Sequence, residues 1–201
     1  SAGNAETEFN GDPESANPIR LGTTYSGSTL FTAYYDWEDS DLFAVDLPSA
    51  GKVAIDLKFP AKLGVGDAYE VAVYDAYGTE LYYFDVPAYA SSGVWLKSQA
   101  MYLPKGKIYV EVYGDDTLPT WGKTYTLNVG HTPGNVETEI NDSFTTADPI
   151  ALGTTYSGSA LSNGYYDSDY FAVTMPLAGR VSLNLKFPAN LGTGSAYRVT
   201  V

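Results

Sequence analysis

The chain has 201 residues, 44% of them apolar and only 17% charged, with a net charge of −13 and no cysteine. It is long enough for one large domain or two small ones and apolar enough to bury a core, but it offers no disulfide framework and no thiolate metal site. The acidic balance argues against nucleic acid or an anionic membrane surface as a partner, because phosphate contacts need Lys and Arg.

In chain order, the first feature is acidic. AETEFNGDPE, from Ala5, sets Glu6, Glu8 and Asn10 at alternate positions. Asp12 to Asn17 reads as at most one short helical turn. LGTTYSGS follows at residues 21–28, and then YYDWEDSDLFAV, where Asp39 and Asp41 precede an apolar run. KVAIDLKF puts Val53, Ile55 and Leu57 on one face, the period-two pattern of a half-buried strand. YEVAVYD, KIYVEVYG and YTLNVG read as further strands, with turn signals SAGK, AYGT, LPKGK and YGDD between them. Eighteen tyrosines and three tryptophans favour strands over helices. No stretch approaches the ~20 apolar residues of a membrane helix, so membrane insertion is not expected. No signal peptide opens the chain, which makes it either cytosolic or a mature fragment.

The chain repeats itself. Glu6-Thr7-Glu8 and Asn10 return as Glu137-Thr138-Glu139 and Asn141, an offset of 137 − 6 = 131. LGTTYSGS recurs unchanged at residues 152–159. YYDSDYFAV then lacks three residues of the first copy, and the offset becomes 128: Asp39 and Asp41 meet Asp167 and Asp169. VSLNLKF repeats the alternation with Val181, Leu183 and Leu185. The expected organisation is a complete module over residues 1–130, a linker over 131–136, and the N-terminal half of a second module over 137–201. The first copy reads as an antiparallel β-sandwich of about seven to nine short strands. The last strand of the second copy would be an exposed edge, or would pair elsewhere, for example by exchange with a second molecule.

Residues two apart on a strand share a face, roughly 6.5 to 7 Å apart. If Glu137, Glu139 and Asn141 lie beside Asp167 and Asp169, five or six oxygen-bearing side chains converge. Such a cluster calls for a cation, and calcium, which takes about six to eight oxygens, matches it best in the absence of Cys and nearby His. The plainer account makes these residues solvated acids at strand ends, with Asn141 or Asp142 capping a turn.

The run E-x-E-x-N-D, followed by A-x-P-I, G-x-x-x-x-G, D-x-D-Y-F-A-V and a glycine turn into an alternating strand, resembles the bacterial pre-peptidase C-terminal domains, among them the collagen-binding domains of clostridial collagenases. The second copy carries it with Glu137, Glu139, Asn141, Asp142, Ala147, Ile150, Gly153, Gly158, Asp167, Asp169, Tyr170, Phe171 and Gly179. The first copy carries it with Glu6, Glu8, Asn10, Ala16, Ile19, Gly22, Gly27, Asp39, Asp41, Phe43 and Gly51. The resemblance implies a jelly-roll-like β-sandwich, used as an accessory module on secreted peptidases and surface proteins. It implies calcium between the acidic segment and the Asp pair: Glu137, Glu139, Asn141, Asp142, Asp167 and Asp169 in the second copy, and Glu6, Glu8, Asn10, Asp39 and Asp41 in the first. There Gly11 stands where the second copy has Asp142, and Trp37-Glu38 lengthens the loop, leaving Asp36 or Glu38 to compensate.

Catalysis is not expected. The only histidine, His131, sits in the linker reading, and no phosphate loop or HExxH is present. Paired carboxylates keep a glycoside hydrolase as a remote alternative. The main expectation is a secreted or cell-surface bacterial module acting as a calcium-stiffened spacer. The alternative is adhesion to a collagen-like protein or a polysaccharide. Tyr82-Tyr83-Phe84, Tyr89, Trp95 and Tyr102 either face the core in alternation or stack on such a ligand.

Overall fold

The computed structural model describes residues 4–29, 39–60, 63–89, 94–114, 120, 122–161, 167–189, 191–193 and 195–201. Up to Pro133, the described residues form ten strands in two sheets. One sheet runs in the order β1 (Asn17–Ile19), β3 (Ser40–Leu47), β9 (Gly106–Gly114), β5 (Asp67–Asp75), β6 (Glu80–Pro87). The other runs β2 (Thr24–Ser28), β10 (Thr124–Pro133), β4 (Gly51–Lys58), β7 (Leu96–Lys97), with β8 (Met101–Leu103) also on β4. Every pairing is antiparallel except β1 with β3. The chain changes sheet at every step from β1 to β5, again from β6 to β7, and again from β8 to β9 to β10, which is the crossing pattern of a jelly roll. No helix occurs among the described residues.

Alternation in the sequence drives this arrangement. Phe43, Val45 and Leu47 of β3, Val53, Ile55 and Leu57 of β4, and Val71 and Val73 of β5 are all buried. Val110 and Val112 of β9 meet Leu127 and Val129 of β10 in the same core. Each such side chain contributes about 1.5 to 3 kcal/mol when fully buried. Tyr69 and Tyr125 lie edge-on at the centre, 5.7 Å between ring centroids, with Phe43 a further 6.4 Å from Tyr125. β9 is hydrogen-bonded on both edges, to β3 and β5, and β10 likewise to β2 and β4. These two consecutive strands are the middle of the two sheets.

Two expectations change. The segment around Asp12 is a hydrogen-bonded turn, Ser15 N to Asp12 O at 3.0 Å, and not a helical one; Thr146 N to Ser143 O repeats it at 3.1 Å. β10 also runs on through His131 to Pro133, which pair with Val53 and Gly51, so the sheet reaches into the stretch that Gly and Pro content marks as linker. His131 sits on that strand with Nε2 3.1 Å from Ser49 O.

The second copy rebuilds the beginning of the first. β11 (Asp148–Ile150) pairs in parallel with β12 (Phe171–Val173) as β1 pairs with β3: Asp148 faces Phe171 where Asn17 faces Phe43. VSLNLKF, expected as a strand, is not one. Val181 is 52% exposed and Leu183 59%, against 0% for their counterparts Val53 and Ile55. The physical reason is pairing. β4 is a strand because β10, β7 and β8 bond its two edges, and no described segment stands in those places beside residues 179–187.

Candidate metal centre

The acidic segment bridges the two sheets without being a strand itself. One parallel bridge joins Ala5 to Ser26 of β2; Glu6 N donates to Ser26 O at 3.0 Å and Ser26 N to Asn4 O at 2.8 Å. Further along, Leu42 N of β3 donates to Asn10 O at 3.2 Å. Between these anchors the side chains alternate: Thr7 and Phe9 are exposed, Glu6 and Glu8 half-buried, Asn10 buried. The second copy repeats each contact. Val136 bridges Ser157, Glu137 N donates to Ser157 O at 3.0 Å, and Tyr170 N donates to Asn141 O at 3.1 Å. The expectation that alternate acids share a side therefore holds, although the strand that motivated it is reduced to a single bridge.

Asn17 and Asp148, which the sequence reading passed over, fix the residue between the two glutamates. Asn17 Oδ1 accepts from Thr7 N at 2.5 Å, and its Nδ2 donates to Thr7 O at 3.3 Å. Asp148 accepts from Thr138 N at 2.6 Å and from Asn141 Nδ2 at 3.1 Å. The available signal was a polar residue before Pro-Ile in both copies, NPI and DPI.

The result is two equivalent carboxylate clusters. One oxygen each from Glu6, Glu8 and Asp41 lies within 4.8 Å of the others, and so does one each from Glu137, Glu139 and Asp169. Glu6 accepts from Ser28 N, and Glu137 from Ser159 N. Tyr125 of β10 closes the first cluster from below, its hydroxyl donating to Asp41 Oδ2 at 2.6 Å and, more weakly, to Glu6 Oε2 at 3.3 Å. Several buried oxygens accept nothing from any described donor: Glu8 Oε2, Asn10 Oδ1 and Asp41 Oδ1 in one copy, Glu137 Oε2, Glu139 Oε1 and Asn141 Oδ1 in the other. Leaving such an atom unpaired costs about 1 to 3 kcal/mol, more where it carries charge.

Electrostatics sharpen this. Two negative charges 4.8 Å apart repel by about 3.5 kcal/mol at an effective dielectric of about 20. Burial first, then the charges of Glu6 and its neighbours, push Asp41 up to about 9 despite the Tyr125 hydrogen bond. Burial, then Asp39 and Glu6, raise Glu8 to about 7. Glu137 and Glu139 rise to about 8 and Asp169 to about 6, again through burial and then the surrounding acids. Among the described residues the one ion pair found, between Lys97 and Asp56, lies outside these clusters.

Of the remaining expected ligands, Asp167 accepts from Leu161 N, and Asp142 accepts from Ser168 N at 3.4 Å. Both border the second cluster and add to its charge. Asp39 adds its charge to Glu8 and Asp41 in the same way. Asp36, Trp37 and Glu38 lie outside the described residues.

Gly27 and Gly158 leave the room that the clusters occupy. A Cβ on Gly27 would run into Glu6 Oε2 and the Tyr125 hydroxyl, and one on Gly158 into the Glu137 carboxylate. Gly27→Ala is expected to lower thermal stability by about 1 to 3 kcal/mol and to displace Glu6. Melting curves together with a metal titration of the variant check both effects.

A hydrolytic site would need a cleft with two carboxylates. An open hollow of about 610 Å³ is lined by Asn4, Pro18, Ile19, Arg20, Thr23, Tyr25 and Asp46, a single carboxylate.

No protein-family profile matches the chain, and no curated protein does. Solved structures do. Over 60% of its length the chain is similar to the pre-peptidase C-terminal domain of the collagenase from Bacillus anthracis, covering 99% of that domain at 24% identity with a TM-score of 0.41. That is the kind of domain the sequence motifs resemble. Over 56% of its length it is also similar to a family 35 carbohydrate-binding module from an environmental isolate, covering 78% of it at 14% identity and a TM-score of 0.34. A family 35 module from Cellvibrio japonicus follows at 14% identity and a TM-score of 0.31, with 47% of this chain and 70% of that one covered.

Proposed function

We propose that this chain is a non-catalytic, calcium-binding β-sandwich module of a secreted or cell-surface bacterial protein, with one calcium site in each copy of the repeat. The observation that carries the reading is the set of buried oxygens without donors in both copies, among them the matching pairs Glu8 and Glu139, and Asn10 and Asn141. Solvated strand-end acids would face water. Here Glu137 and Asn141 are 0% exposed, and so are Asn10 and Asp41.

The donor set fits a hard cation. Two ligands of one calcium ion, each at about 2.3 to 2.6 Å, lie no more than about 5 Å apart, and the oxygens of each trio fall within 4.8 Å of one another. Magnesium, at about 2.0 to 2.1 Å, would require a tighter cage of near-octahedral form. Glu6, Glu8 and Asp41 would hold the first ion, with Asn10 and Asp39 beside them. Glu137, Glu139 and Asp169 would hold the second, with Asn141, Asp142 and Asp167. A bound calcium would neutralise each cluster and tie the acidic segment to the aspartate across from it, Asp41 of β3 in the first copy and Asp169 just before β12 in the second. In the second copy that segment follows β10 after only three residues, so the ion would also stiffen the joint between the copies. The module would then work as a spacer or accessory repeat. No helix among the described residues is long and apolar enough to cross a membrane.

The test is a calorimetric calcium titration of the chelator-stripped protein. Two ions per chain are expected, with one ion lost in Glu8→Gln and the other in Glu139→Gln. Heat that does not saturate, or an unchanged stoichiometry in both variants, removes the reading.

A further inference from the structure

A different surface of the first module gathers tyrosines and carboxylates. The outward residues of the sheet β1-β3-β9-β5-β6 fall into rows set by the strand register. Asp85, Glu70, Tyr113 and Ser40 make one row. Tyr83, Ala72, Glu111 and Leu42 make the next, and Glu80, Tyr74, Tyr109 and Ala44 the third. Adjacent strands lie about 4.8 Å apart and successive rows roughly 6.6 Å apart, so the three rows cover about 14 by 13 Å. No described segment forms a further layer over this face.

Four tyrosines stand around a small, buried centre: Ala72 and Leu42 point outward yet are only 4% and 6% exposed. Four carboxylates stand among the rings, and no lysine or arginine lies in any of the three rows. One of the four, Glu111, is held in place by the Tyr74 hydroxyl, which donates to its Oε2 at 2.9 Å. Glu70 is raised by burial first and then by the charges of Asp85, Glu80 and Glu111, so the acids crowd one another; Lys107 lies one row further along β9.

We propose that this tyrosine and carboxylate face docks an extended polypeptide segment rich in arginine or lysine. Charge complementarity selects the occupant. A guanidinium can stack on a tyrosine ring and bond a carboxylate of the neighbouring strand at the same time. Tyrosine and arginine are the residue types that dominate well-packed interfaces. A neutral sugar would use the rings but would bury four carboxylates with nothing to balance them, and an acidic polymer would be repelled. This surface shares no residue with the calcium clusters, so the proposal stands apart from the calcium reading.

The experiment is a fluorescence anisotropy titration of the whole chain, in constant calcium, with a labelled dodecapeptide of alternating Arg and Gly. Saturable binding is expected. Glu70→Gln with Glu111→Gln should weaken it at least fivefold, and so should Tyr83→Ser with Tyr113→Ser, which leaves the charge unchanged. Asp12→Asn with Glu14→Gln, the same loss of charge on an exposed turn elsewhere, should change it less than twofold. Equal losses in the two charge-removing pairs would mean diffuse attraction to an acidic protein and would overturn the proposal, as would the absence of binding or a silent tyrosine pair. Competition by a neutral cello-oligosaccharide, undiminished in the Glu variants, would assign the face to polysaccharide instead and overturn it too. Should a variant not fold, tyrosine-labelled NMR of the unaltered protein decides: shifts confined to Tyr74, Tyr83, Tyr109 and Tyr113 support the proposal, and shifts elsewhere sink it.

Discussion

Asp41→Asn will melt above the unaltered protein in chelator and below it in calcium. Asp41 is fully buried, and burial and three neighbouring acids push it up to about 9. Near pH 7.5 the folded, metal-free protein therefore keeps a proton there that the unfolded chain gives up. Each pKa unit of that difference is worth about 1.4 kcal/mol. Asparagine removes the penalty, keeps the side-chain size, and keeps an oxygen to accept from the Tyr125 hydroxyl. The variant should gain several degrees without metal. In calcium the order reverses, because the variant has lost a charged ligand of the first cluster. An ion at a thousand times its dissociation constant adds about 4 kcal/mol to the folded state, on the order of 15 °C for a domain of this size. Differential scanning calorimetry in the two buffers is sufficient. If Asp41 only holds the fold together, through Tyr125, the variant will melt lower in both buffers.

The parts of this structure that depend on neighbours in the sequence were legible in it. β4, β5, β9 and β10 follow from alternation, because half-buried strands show their inward face as every second residue. The clusters were legible because the chain writes them twice. What failed was non-local. VSLNLKF alternates as well as KVAIDLKF does, yet only the latter is bonded on both edges. The two- and three-residue strands β7 and β8 exist because β4 offers an edge to them, and their own sequences, LK and MYL, carry no period. Tyr125 sits 119 residues from Glu6, to which it donates, and 84 from Asp41. Nothing local marks it as part of the site; it looks like any inward residue of YTLNVG. Among the aromatics, alternation did decide: Tyr82 is buried while Tyr83 is 38% exposed. Which exposed ring joins which surface came only from the register.

The metal-free protein should lose stability as pH rises, the reverse of ordinary acid lability. In the folded state Asp169 titrates near 6, Glu8 near 7, Glu137 and Glu139 near 8, and Asp41 near 9. In the unfolded chain all five titrate near about 4. Below about pH 4 both states hold these protons and the stability is complete. Between about 4 and 9 the folded state holds more protons than the unfolded one, so unfolding releases them and stability falls with each pH unit. Calcium reverses the dependence, because the ion takes the place of those protons. Its affinity should climb between about pH 6 and 9, and the melting curves with and without calcium should coincide near pH 4.5 and diverge steadily toward alkaline pH. Titrations at pH 7 in two buffers of different ionisation enthalpy should count more than one proton released for each ion bound. Melting temperatures that run parallel across the range, or calcium uptake without proton release, would mean that these carboxyls are ionised and solvated before the metal arrives. The clusters would then not be the crowded acids whose desolvation and mutual repulsion raise their pKa values.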